Sequence, residues 1–315
     1  KIWKAVNLEK IARSVGPTGR ANCGACHFYG GGGDHIKHGD LDSSVGAPET
    51  MTDVHMAVDG ANMVCGACHK AVKHVIPGKA LSVSAMGGGT TLSCADCHAG
   101  TPHKKDTLLN KHAEKVACQT CHIPTFSRGL PTKIWWDWST AGRDGPIAKD
   151  QYGLPLYDKQ KGDFKWAKDV RPTYKWFNGS GDRYLLGNKM DPTKITHLSY
   201  PRGDREDKAA KITPFKLMEG KQPYDSVNKV FAVPNLWGGY WKHWDWNKAI
   251  ADGMKAAGLE YSGQYAFAPT DMYWNVTHMV APKAEALTCN NCHGKNGRLD
   301  WKDLGYTDDP RAGGK

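Results

Sequence analysis

Residues 118–122 read Cys-Gln-Thr-Cys-His, and this arrangement of two cysteines followed at once by a histidine occurs five times in the 315-residue chain. All ten cysteines belong to such a motif, so none is left over for another role. In chain order the five motifs, called sites 1 to 5 below, are Cys23/Cys26/His27, Cys65/Cys68/His69, Cys94/Cys97/His98, Cys118/Cys121/His122 and Cys289/Cys292/His293.

Paired cysteines serve three kinds of chemistry, and the histidines distinguish them. A disulfide framework gives no reason for a histidine after every pair. A structural zinc site takes four ligands from two pairs, and five pairs leave one unmatched. Attachment of haem c requires this spacing, because two thiols on one turn form thioethers to one porphyrin and the next residue places an imidazole under the iron. The sequence therefore predicts five covalently bound haem c groups, with these proximal iron ligands: His27, His69, His98, His122 and His293.

The composition agrees with a core that is not made of side chains alone. Only 40% of the residues are apolar, and the mean hydropathy is −0.58, so we expect the porphyrins to fill much of the interior. The net charge of +10 is spread along the chain without a polybasic run or a nucleic-acid motif, which argues against nucleic acid as a partner. No segment has the roughly 18 apolar residues of a transmembrane helix.

The cofactor also predicts the compartment. Attachment of haem c takes place outside the cytoplasm, so we expect an exported protein of the periplasm or the extracellular space. Residues 1–5 contain no apolar signal-peptide core, and the prediction is of an already processed chain. Redox partner proteins or extracellular electron acceptors are the expected partners.

The motifs divide the chain into three segments. Residues 1–126 hold sites 1 to 4, and residues 270–315 hold site 5. Residues 127–269 contain no cysteine and are rich in glycine, proline and tryptophan, which indicates an irregular layer that wraps the haems. The predicted fold is one compact multihaem domain, mostly irregular with short α-helices around a stacked haem core and with little or no β-structure.

Three helices are predicted from their capping residues and apolar spacing. They run from an Asp106 or Thr107 cap through His112 and Val116 into site 4, from an Asp245 cap to a stop at Gly258, and from Thr270 through His278 to an end before Pro282.

The second axial ligand of each iron decides between electron transfer and substrate chemistry. A histidine there occupies the last coordination position of the iron, whereas an empty position allows a substrate to bind. Nine histidines lie outside the motifs. Their sequence contexts favour six as distal ligands, namely His38, His55, His74, His103, His112 and His278. The other three, His35, His197 and His243, are predicted to have structural roles.

Two of the distal candidates follow a motif closely. His74 and His103 lie five residues after the histidines of sites 2 and 3. A segment fixed under one face of a haem does not reach the other face so soon, so each is predicted to bind a neighbouring haem. Because six candidates serve five haems, one histidine remains spare.

Several strings of this sequence resemble the octahaem tetrathionate reductase family of multihaem c-type cytochromes. They include residues 23–33 (CGACHFYGGGG), 37–42 (KHGDLD) and 277–283 (THMVAPK), and the resemblance extends over nearly the whole chain. It covers only the last five haems of the family, so what it implies is the electron-transfer part without the N-terminal catalytic haem. It also implies that His38, His55, His112 and His278 are iron ligands.

Two classes of function follow. The first is a pentahaem electron carrier with all-histidine ligation, in which the spare histidine binds a haem of a neighbouring subunit and joins copies into a filament or another oligomer. The second is a reductase of tetrathionate, nitrite or hydroxylamine, or the C-terminal fragment of one. No catalytic dyad or nucleophile stands out in the sequence, which favours the electron-transfer protein over an enzyme.

Overall fold

Most of the chain is defined in a computed structural model. The structure describes residues 7–13, 16–73, 75–78, 81 and 92–312. None of the helices within these residues is long and apolar enough to cross a lipid bilayer. The helices are α1 (Leu8–Arg13), α2 (Arg20–His27), α3 (Cys65–Cys68), α4 (Ala95–His98), α5 (Thr107–Lys115), α6 (Cys118–His122), α7 (Trp241–His243), α8 (Trp246–Ala256) and α9 (Cys289–Cys292).

A mixed sheet of nine strands occupies the segment between sites 4 and 5. The prediction of an irregular fold with little or no β-structure is therefore wrong. The strands are β1 (Thr132–Asp137), β2 (Tyr157–Asp158), β3 (Gly162–Ala167), β4 (Thr173–Phe177), β5 (Gly181–Arg183), β6 (Thr196–Pro201), β7 (Lys211–Asp225), β8 (Val230–Phe231) and β9 (Tyr265–Asn275).

Strand β7 is the centre of this sheet. It pairs with β9 antiparallel along its length, with β1 in parallel, and with β4 and β8 antiparallel near its two ends. The path through the sheet is β2-β3-β1-β7-β9-β6-β5. Because β9 ends at Asn275, its pairing with β7 fixes where His278 enters the haem region.

The physical reason for the wrong prediction lies in the aromatic residues. In β4, Tyr174 and Trp176 are buried and the other three residues of the strand are half-buried, as expected for a strand with one face on a core. Aromatic and β-branched residues favour strands, and the glycines and prolines mark the turns between them. The same composition is also compatible with an irregular layer over the haems, so it does not distinguish a β-sheet from such a layer.

Two of the three predicted helices are present and the third is wrong; the first ends at Lys115 and does not continue into site 4. Asp106 caps α5 through a hydrogen bond from Leu109 N (2.9 Å), and Asp245 caps α8 through one from Lys248 N (3.0 Å). The helix predicted from Thr270 is instead the second half of β9, where Thr270 pairs with Gly220. Pairing along the sheet outweighs the local helical pattern there.

Helix α8 packs against the loop that follows β8 so closely that one position admits only glycine. A Cβ at Gly253 would overlap Val233 O and lie 2.6 Å from Asn235 N. We predict that Gly253→Ala lowers the free energy of unfolding by about 1–3 kcal/mol, as overpacking does. Chemical denaturation measures this loss, and the exposed Asp252→Ala on the same helix should change stability by no more than about 0.5 kcal/mol. An unchanged stability of Gly253→Ala would contradict the packing described here.

Candidate functional site

Each cysteine pair lies on one short helical turn. Sites 1 and 4 fall within α2 and α6, sites 2 and 5 make up α3 and α9 with the histidine directly after, and Cys94 of site 3 precedes α4. Residues three apart on a helix share a face, so both thiols of a motif point to the same side. The motif sequence alone thus forms the proximal half of each site.

None of the ten cysteines forms a disulfide, and they differ in exposure. At site 1, Cys23 is half-buried, whereas Cys26 is exposed near the end of α2. Cys26 is predicted to form a thioether together with Cys23, and its exposure leaves the thiol accessible for such a bond. The thioethers at all ten cysteines stay predictions.

The five motifs form a row in chain order. Thiols of consecutive motifs lie close together, because in each neighbouring pair one thiol changes the pKa of the other; for example, burial and then the neighbouring Cys23 thiol raise the pKa of Cys65. The four neighbouring thiol pairs are Cys23 with Cys65, Cys68 with Cys97, Cys94 with Cys118, and Cys121 with Cys292. Site 1 is therefore next to site 2, and so on to site 5.

Four of the predicted distal histidines face a motif histidine across a gap. With metal–nitrogen bonds of about 2 Å, two imidazoles on opposite sides of one ion have ring centres about 6 Å apart. The observed separations have this size. They are 5.9 Å for His55 with His98, and 6.3 Å each for His69 with His278, His103 with His122, and His112 with His293.

At site 1 the structure places His38 beside His27. A Cβ at Gly30 would lie 3.3 Å from His38 Nε2 and 3.6 Å from the backbone oxygen of His27, so His38 reaches the turn that follows the motif. His27 is near enough that its charge contributes to lowering the pKa of His38, after burial. The ring of His38 packs edge-on against Trp274, at 4.9 Å between centres. Lys216 is fully buried nearby and donates from Nζ to the Ile36 carbonyl, which fixes the segment that carries His38.

Hydrogen bonds at Nδ1 orient several of these imidazoles. His69 Nδ1 lies 2.7 Å from Pro77 O, and His112 Nδ1 lies 2.9 Å from Leu108 O. A carbonyl only accepts hydrogen bonds, so Nδ1 carries the proton and the lone pair of Nε2 is free to bind a metal. These two rings are therefore held in the tautomer that an iron ligand requires.

Burial and nearby charges shift the pKa values of three further histidines that are predicted to be ligands. Burial, together with the charge of Lys216, lowers the pKa of His38, and burial with the neighbouring His103 lowers that of His122. The neutral imidazole that binds metal is thereby favoured. Burial alone would lower the pKa of His278, but its hydrogen bond to Asp40 outweighs burial and raises it.

Sequence reasoning assigned no role to a buried carboxylate, Asp53, that joins two ligand segments. It is 2% exposed. Its Oδ1 accepts hydrogen bonds from His55 N (2.8 Å) and Met56 N (2.9 Å), and its Oδ2 from Met279 N (2.8 Å) and Val280 N (3.2 Å). Its position two residues before His55 was the available signal, because an aspartate there readily binds the backbone N–H groups that follow.

The three histidines predicted to be structural make other contacts. His35 Nδ1 donates to Pro131 O (2.6 Å), His197 Nδ1 is hydrogen-bonded to Asp271 (2.6 Å), and His243 Nδ1 accepts from the Asp245 backbone N–H. The sixth distal candidate, His74, lies outside the described residues.

Comparisons with known proteins agree with this arrangement. Residues 133–296 match the family described as bacterial cytochrome c, and residues 48–123 match cytochrome c7 and related cytochromes c. The chain belongs to the bacterial cytochrome c family. It is similar to the crystal structure of an octahaem cytochrome c from Shewanella oneidensis, with 50% sequence identity, a TM-score of 0.89, and coverage of 98% of this chain and 70% of that chain. No curated protein matches the chain.

As a multihaem member of the bacterial cytochrome c family, the chain transfers electrons and binds haem c covalently. Unpaired polar atoms in the described residues fit this cofactor. The indole N–H groups of Trp274, against His38, and of Trp301, stacked on His293 at 5.0 Å, have no hydrogen-bond partner in the protein. Haem carries two carboxylates that accept such bonds. The thiols, the imidazole pairs and these donors therefore suit the same group.

Proposed function

We propose that this cytochrome carries five haem c groups in a row and passes electrons along it, with two histidines on each iron. The main support is the set of histidine pairs with ring centres about 6 Å apart, as two ligands of one metal require. In order of sites, the proposed ligand pairs are His27 and His38, His69 and His278, His98 and His55, His122 and His103, and His293 and His112.

The protein residues have three tasks in this proposal. The cysteines fix each group by two thioethers, so that neighbouring groups keep the spacing that their helical turns impose. The histidines close both axial positions, and hydrogen bonds at Nδ1 hold their rings in place. Haem iron supplies reversible one-electron transfer when bound. Because no ligand has to leave, the chain favours rapid transfer over binding of a substrate.

The reductase remains the second candidate, and the histidine pairs weigh against it. Reduction of tetrathionate, nitrite or hydroxylamine needs an iron with an accessible position. The proposed pairs assign two histidines to every site. Membership of the octahaem tetrathionate reductase family stays a prediction.

The number of haems and their ligation can be measured directly. Intact mass under denaturing conditions should show five covalent haem increments, and EPR of the oxidised protein should show only low-spin iron without a response to nitrite. Four or fewer increments, or a high-spin signal that nitrite shifts, would contradict the proposal and favour the reductase.

Removal of one distal ligand tests a single assignment. His112→Ala should convert one of the low-spin signals to high-spin, because the remaining ligand of site 5 would be His293 alone. His197→Ala is the matched control, since His197 contacts Asp271 outside the row, and it should leave every signal unchanged. A fully low-spin His112→Ala spectrum would show that another residue binds this iron.

We further propose that the protein works in the periplasm or outside the cell, where it exchanges electrons with redox proteins or extracellular acceptors. The attachment chemistry of haem c supports this location. Self-association through a histidine in trans stays a prediction. The proposed pairs use every distal candidate except His74, so His74 is the histidine proposed to bind a haem of a neighbouring subunit.

A further inference from the structure

Two of the proposed iron ligands are hydrogen-bonded to carboxylates rather than to carbonyls. At site 5, His293 Nδ1 lies 2.6 Å from Asp309 Oδ1. The same aspartate accepts from the backbone N–H groups of Gly294 and Arg311. All of these partners are donors, so Asp309 is held as a carboxylate beside the ligand.

Site 2 has a similar arrangement on its distal side. Asp40 is 2% exposed. Its Oδ2 accepts from the backbone N–H groups of Thr277 (2.7 Å) and His278 (2.9 Å), and it lies 3.2 Å from His278 Nδ1. The backbone bonds fix the carboxylate in place, so the imidazole meets a negative charge in a water-poor setting.

Site 4 differs from both. His103 Nδ1 is buried and has no hydrogen-bond partner among the described residues. The second ligands of sites 2 and 5, His69 and His112, donate to carbonyls. Sites 2 and 5 therefore combine one carboxylate and one carbonyl acceptor, whereas the distal ligand of site 4 has neither.

The nature of the acceptor affects the iron. A carboxylate on Nδ1–H draws the proton away from the ring and raises the basicity of the nitrogen that binds the metal. A more basic ligand stabilises the oxidised iron, which carries the larger positive charge. Hydrogen bonding to the axial ligand is one of the means by which a protein adjusts haem potential.

We propose that Asp40 and Asp309 are positioning residues that lower the reduction potentials of sites 2 and 5 relative to site 4. This inference rests on the proposed ligation. Site 4 lies between sites 2 and 5 in the row, so among these three sites an electron rests preferentially on site 4.

The test measures the individual potentials of the holoprotein by spectroelectrochemical titration, with EPR to follow each site. Asp309→Asn keeps the shape of the side chain and removes its charge. We expect a tenfold change in the one-electron equilibrium constant of one site, which raises its midpoint potential by about 59 mV. Asp40→Asn should raise the potential of a different site. Asp271→Asn removes the same kind of contact from His197, outside the row, and should shift none.

Asp309→Glu covers the case in which Asp309→Asn loses its haem or fails to fold. Glu retains the charge, so its site should stay within a few-fold of the wild-type equilibrium. Equal shifts in the Glu and Asn variants, or no shift in Asp309→Asn with all haems low-spin, would overturn this inference and leave the proposed function standing. A wild-type protein without five bis-histidine signals would instead overturn the proposed function.

Discussion

Asp53→Ala is expected to unfold the distal side of two sites at once. The substitution leaves four backbone N–H groups without an acceptor, those of His55, Met56, Met279 and Val280. Each buried donor left unpaired costs about 1–3 kcal/mol, so the loss of stability is several kcal/mol. Because His55 and His278 lie on these segments, the low-spin signals of sites 2 and 3 should weaken together.

Chemical denaturation and EPR measure the two effects on the same sample. Asp53→Asn is the matched variant, since its amide oxygen still accepts two of the four hydrogen bonds, and it should lose about half as much stability. Sites 4 and 5 serve as internal controls, because their ligands do not contact Asp53. A change confined to one site would show that Asp53 does not couple the two segments.

The double variant Cys118→Ala/Cys121→Ala should interrupt the row between sites 3 and 5. Site 4 lies between sites 3 and 5, as the neighbouring thiol pairs indicate. Loss of its haem would leave a gap of one whole site, and electron transfer falls steeply with distance. We therefore expect one haem fewer by intact mass and a slowing, by orders of magnitude, of electron redistribution after flash reduction.

Cys289→Ala/Cys292→Ala provides the comparison at the end of the row. It also removes one haem, but it leaves sites 1 to 4 adjacent, so redistribution among them should keep the wild-type rate. Equal rates for the two double variants would mean that the haems are not connected in chain order. Far-UV circular dichroism of both variants shows whether the sheet between sites 4 and 5 is retained.

The proximal halves of the sites were predictable because they are local. Each motif contains both thiols and the imidazole within five residues, and one helical turn is enough to arrange them. The caps at Asp106 and Asp245 were predictable for the same reason, since a side chain there binds a backbone N–H three residues on.

Features that depend on distant residues were not predictable in this way. β9 carries a helical pattern at Thr270, but pairing with β7 decides its conformation. The facing of His69 by His278 depends on that sheet and on Asp40, neither of which the motif spacing reveals. Six distal candidates were predicted from sequence context, whereas the proposal of which motif histidine each of five faces required the fold.

In the proposed ligation, the two histidines of a pair are separated by very different lengths of chain from site to site, so each haem reports a different unfolding event. A thioether-bound haem keeps its motif histidine in the denatured chain, and only the distal histidine departs. His103 and His122 are close in sequence, so their contact re-forms by closing a short loop, whereas His69 and His278 meet only when β9 has joined β7. The haem absorption of site 4 should therefore change when the chain frays locally, and that of site 2 should change when the sheet unfolds.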